Sequence, residues 1–215
     1  MNHNIIRTAK FLFPFIIYVA VSNPINSQAN TSSIGEPKSS YLFFNSGFGY
    51  GTEGGTFGLG FVCFSSNGWG GSLSYKLNIK KSNNVPSDYY DDGRRTIAPK
   101  DYLTLISLNF VKEFPSSHAS RRFGIEIGPS WVKYNPVGFK LNPSYDPNSL
   151  PWLGNFYKYY KVRNPRQTIG LTLKGKEEFL LTQACGLELA VLFNLNNAQS
   201  VFGIELNLNI GKIRN

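Results

Sequence analysis

Histidine, cysteine and methionine are nearly missing from this chain: among 215 residues there are two histidines, two cysteines and one methionine. His3 falls in the extreme N-terminal segment, so His118 is the only histidine of the remainder. Neither Cys63 nor Cys185 sits in a C-x-x-C pattern or in metal-ligand spacing with His118, so no metal site and no cofactor is expected. Both cysteines read as small apolar strand residues, too many strands apart for a disulfide. G-x-S-x-G, H-E-x-x-H and P-loop patterns are also absent. The apolar run Phe11 to Val21 is interrupted by Pro14 and falls short of the roughly 20 residues a membrane-spanning helix needs.

That run is preceded by Arg7 and Lys10 and followed by the small-x-small triplet Ser27, Gln28, Ala29, the arrangement of a cleaved secretory signal peptide. Residues 1–29 are therefore set apart, and the polar, aperiodic stretch 30–40 reads as a flexible lead-in. The signal removes two cations and no anion, so the formal charge falls from +9 to +7. Export, together with the lack of a Lys/Arg-rich run or a helical pattern, argues against nucleic acid. An anionic membrane surface is the natural partner of a basic exported chain.

What the chain has in abundance is strict alternation. From Phe202 to Gly211, Phe202, Ile204, Leu206, Leu208 and Ile210 share one face, and Gly203, Glu205, Asn207, Asn209 and Gly211 share the other. Both faces are uniform to the strand ends. The apolar face suits a broad apolar medium, and the polar face needs a hydrated or ion-paired interior. The same texture recurs over about 41–52, 56–65, 69–80, 101–114, 121–134, 167–180 and 184–195, which makes eight strands. Inside the first, Gly49-x-Gly51-x-x-Gly54 matches a dinucleotide fingerprint in letters only, because a strand rather than a helix follows it.

An even strand number permits closure without a free edge. The long connections, about 81–99 and 135–165, follow the third and fifth strands and so share one rim, whereas the connections after the second, fourth and sixth are short. This is the loop parity of an outer-membrane barrel. Aromatics near strand ends (Tyr41, Tyr50, Trp69, Tyr102, Phe114, Phe123, Trp131, Phe179) suit the headgroup level. The expected fold is all-β: an eight-stranded antiparallel up-and-down transmembrane β-barrel over 41–213. A soluble lipocalin-like barrel would instead direct its large apolar residues inward.

The inner faces carry Lys76, Lys80, Lys174 and Lys176 against Glu113, Glu126, Glu188 and Glu205, a balanced set. A barrel of about eight strands is just wide enough to be filled by side chains, so these charges are expected to pair and plug the lumen. A small conducting channel is the alternative.

Taken together, the eight dyad strands, the loop parity and the terminal run Phe202 to Lys212 resemble the small outer-membrane β-barrel family of Gram-negative envelopes, the OmpA/OmpX-like barrels. The resemblance implies residence in the cell outer membrane. It also implies partnership with outer-membrane lipid, lipopolysaccharide and the outer-membrane assembly machinery. Many such barrels end in an aromatic residue; this one ends Lys212-Ile213-Arg214-Asn215. Similar barrels include lipid-modifying enzymes, but His118 lies in the short connection 115–120, at the rim away from the outer leaflet where such enzymes work, and no catalytic residues are assigned. Asp88, Asp91 and Asp92 read as a solvated turn rather than a cation site. The candidate surface-binding loop carries Trp152, Phe156, Tyr157, Lys158, Tyr159, Tyr160, Lys161 and Arg163, an aromatic and basic set suited to a surface glycan or a protein ligand.

Overall fold

A computed structural model describes residues 41–65, 67–89, 98–115, 121–146, 148, 158–182 and 184–211. The signal segment, the lead-in, Asp91, Asp92, His118, Trp152, Phe156 and Tyr157 lie outside the described residues. The strands in chain order are β1 (Tyr41–Gly51), β2 (Gly54–Phe64), β3 (Trp69–Lys81), β4 (Lys100–Pro115), β5 (Arg121–Asn135), β6 (Val137–Leu141), β7 (Tyr159–Arg163), β8 (Arg166–Leu180), β9 (Cys185–Asn196) and β10 (Val201–Gly211). Eight of them close in the order β1-β10-β9-β8-β5-β4-β3-β2, every pairing antiparallel, while β6 and β7 form a separate two-stranded sheet.

Closure joins the first strand to the last, with Phe48 opposite Leu206 and Gly49 opposite Glu205. The alternation decides the facing. Leu206 is 57 % exposed and Asn207 4 %, and the same parity holds along β10. Glycine on β1 makes room for this. A Cβ at Gly47 would collide with the Asn207 side chain and the Leu206 carbonyl, so β1 supplies bare backbone where β10 supplies the filling side chain. The tight connection from β2 to β3 turns on Gly68, whose φ of 76° is a conformation that residues with a Cβ rarely adopt.

Three features depart from the expectations. The connection 135–165 was expected to be all loop, yet it carries the β6–β7 hairpin. Five-residue strands bracketed by prolines are too short to show a readable period. Tyr41 is not part of an outward aromatic belt; it faces inward, stacks on Phe64 and donates its hydroxyl hydrogen to Glu113. The inner face is also not polar throughout. Phe43, Val62, Phe64 and Val111 form a buried apolar layer at the short-turn end, and Leu103, Leu105, Val132 and Val201 form another at the long-loop end.

Candidate functional site

Between those two apolar layers lies the charged interior. Lys76 on β3 reaches across the barrel to Glu205 on β10, its Nζ 2.5 and 2.6 Å from the two carboxylate oxygens. Lys174 on β8 lies 2.6 Å from Glu188 and 3.7 Å from Glu126, and Lys176 lies 2.8 Å from Glu126 and 3.5 Å from Glu188. All six of these side chains are buried. Position explains the pattern: Glu126, Lys174 and Lys176 project inward from adjacent strands, with Glu126 directly opposite Lys174 in the ladder. Ser72 donates a hydrogen bond to Glu126 at 2.8 Å, and Asn207 donates one to Glu188 at 2.8 Å.

The other two expected charges sit apart from this group. Lys80 meets Glu53 at 3.4 Å at the long-loop end, and Glu113 meets Arg122 at 3.5 Å at the short-turn end. The expected balance of four against four does not describe the interior. Among the described residues Glu53, Asp101 and Glu178 are buried as well, so seven buried carboxylates face three buried lysines, with Lys80 and Arg122 half-buried beside them. Neutral donors serve the extra carboxylates. Asn209 donates to Glu178 at 2.5 Å, Gln199 to Glu53 at 2.8 Å, and the Val137 amide to Asp101 at 2.8 Å. Glu53 and Asp101 sit in a turn and at a strand end, where alternation gives no facing; Glu178 is legible, because the period that sends Lys174 and Lys176 inward along 167–180 also sends Glu178 inward and its neighbour Glu177 outward.

Asp101 also fastens the outer hairpin, because the amide it accepts belongs to β6 and the Tyr134 hydroxyl donates to it at 3.2 Å. Above it the two long connections meet. Lys158 and Tyr159 both donate to Asp88, and Tyr89 packs edge-on against Phe139 with ring centroids 4.8 Å apart. The Lys161 ammonium lies 5.6 Å from the Tyr89 ring, and the Arg163 guanidinium 5.0 Å from that of Tyr102. The candidate binding residues Lys158, Tyr159, Lys161 and Arg163 thus engage this chain's own rings and carboxylate. The Tyr160 hydroxyl donates to Asn142 at 2.6 Å while its ring stays exposed.

Hydrogen bonds from Lys158 and then Tyr159 hold the Asp88 carboxyl below its usual range. A depressed carboxylate stabilises this docking above its unfolded-state pKa and stops doing so as pH falls through its folded value. Lys158, raised by the same contact, acts with the opposite sign and holds until pH rises through its own folded value. The clasp therefore spans neutral pH. Asp88→Asn is expected to loosen it, and trypsin, which cleaves after lysine and arginine, should then cut between 158 and 163 faster at pH 7 while the barrel strands stay protected. Equal cleavage rates would show that the clasp does not hold the hairpin.

No family model matches the chain, and no curated protein does. Among solved structures, the N-terminal β-barrel domain of Pseudomonas aeruginosa OprF superposes with a TM-score of 0.52 at 10 % identity, over 82 % of this chain and 99 % of that one. Neisserial surface protein A gives 0.45 at 12 %, over 80 % and 94 %. Ail, the attachment invasion locus protein of Yersinia pestis, gives 0.45 at 10 %, over 81 % and 97 %. At such identity the likeness to the OprF domain is one of fold: this chain is a closed eight-stranded antiparallel β-barrel, the architecture of that domain.

Proposed function

We propose that this barrel is exported, loses residues 1–29, and spans the outer membrane as a non-catalytic protein with a filled lumen and a surface-interaction role. The reversal of polarity across the wall carries the reading. Phe48, Phe110 and Ile169 are 70 %, 73 % and 77 % exposed, while Glu188 and Asn209 are 0 % exposed inside. An apolar wall of this kind is costly in water and favourable in hydrocarbon. The ladder leaves no unpaired edge, as a lipid-embedded sheet requires.

The buried ion pairs between two apolar layers support a plug over a conducting channel. Across planar bilayers the folded protein should add no stepwise conductance; discrete openings would establish the channel instead. The docked outer hairpin, with Tyr160 exposed on it, is the surface offered to a glycan or protein ligand. Shaving intact cells with protease should abolish any adhesion the protein confers. In fractionated cells the mature chain, starting near Asn30, should be recovered with the outer membrane and resist extraction by alkali; recovery as soluble periplasmic protein would defeat the proposal.

A further inference from the structure

One patch of the outer wall, near the short-turn rim, is charged where a lipid-facing wall should be apolar. Parity sends Glu177 outward, since Glu178 beside it is buried in the lumen. Its cross-strand neighbours are Phe123 on β5 and Leu189 on β9. A carboxylate among apolar side chains calls for a cation, yet among the described residues nothing pairs with it. One step toward the rim, Arg121 stands opposite Phe179 with its guanidinium 5.4 Å from the ring centroid, so it covers the ring. One step toward the waist, Gly175 stands between Ile125 and Val191, and a Cβ there would meet nothing within 4 Å. The wall is therefore notched directly beside its unmatched carboxylate.

We propose that this patch is a binding site for a phosphoethanolamine-headed membrane lipid, an inference that rests on the membrane-spanning reading above. A headgroup lying across Phe123 and Phe179 would place its phosphate on Arg121 and its ammonium on Glu177, with an acyl chain passing over Gly175. The pairing of signs selects the class. An anionic glycerol headgroup would satisfy Arg121 but be repelled by Glu177, and a choline headgroup has no N–H to donate to a carboxylate. An aromatic floor at this depth suits the headgroup boundary.

The test is native mass spectrometry of the folded full-length mature barrel, released from detergent containing equal amounts of phosphatidylethanolamine, phosphatidylcholine and phosphatidylglycerol with identical chains. The folded protein should retain the ethanolamine lipid about tenfold over the other two, the scale of one charge-assisted pair. Glu177→Gln should erase that preference. Gly175→Leu, which fills open space and leaves both charges, should reduce retention of the ethanolamine lipid while the barrel remains folded. Equal retention of the three lipids by the folded protein, or an unchanged preference in Glu177→Gln, would overturn the site and leave the membrane reading standing. Failure of the unmodified protein to fold in any detergent or lipid would overturn both.

Discussion

Glu188→Leu is expected to destabilise the folded barrel by about 3–5 kcal/mol, the usual cost of stranding a buried partner. Glu188 is fully buried, lies 2.6 Å from Lys174 and 3.5 Å from Lys176, and accepts a hydrogen bond from Asn207. Its loss leaves two lysines sharing Glu126, and leaves the Asn207 amide without that acceptor. Urea unfolding in lipid vesicles reads the effect as a lowered midpoint. The double change Glu188→Leu with Lys174→Leu should recover part of it, because the orphaned charge is removed with its partner. An unchanged midpoint for the single variant would show that the ion pairs do not hold the interior together.

Leu206→Arg is the second large effect, about 2–4 kcal/mol if the residue meets hydrocarbon near the bilayer midplane. Leu206 sits at the middle of β10, flanked outward by Phe48 and Leu189. In a barrel whose outer wall met water, the same change would cost almost nothing and would aid solubility. The neighbouring Asn207 tells a different story than alternation alone suggests. A lumen read only as polar would admit an arginine beside Glu205 and Asn209. The structure packs Asn207 against the bare backbone of Gly47 and bonds it to Glu188, so Asn207→Arg should be costly as well, by overpacking.

That contrast marks how far the chain could be read unaided. A lipid-facing wall and a filled interior impose opposite chemistries on successive residues, so facing along β8, β9 and β10 is written in their alternation. The rim parity follows from the long connections after β3 and β5. The two apolar layers were harder to see. Leu103, Leu105 and Val111 blur the alternation of β4, and only spatial grouping with Val132, Val201, Phe43 and Phe64 shows that they close the ends of the lumen. The facing of Tyr41 is not legible from composition, because a terminal tyrosine suits a headgroup belt and an inward hydrogen bond equally well. Ion partners across the barrel, such as Lys76 with Glu205, depend on closure, which brings β3 and β10 to face one another although they are not neighbours in the sheet.

The most direct test of the account is to dilute the urea-unfolded mature chain into lipid vesicles and, separately, into buffer without lipid or detergent, then compare unfolding curves and gel migration with and without boiling. A barrel whose apolar wall meets lipid should show a cooperative transition and a boiling-dependent shift in migration in vesicles, and neither in buffer. Cooperative folding in lipid-free buffer would contradict a lipid-facing wall.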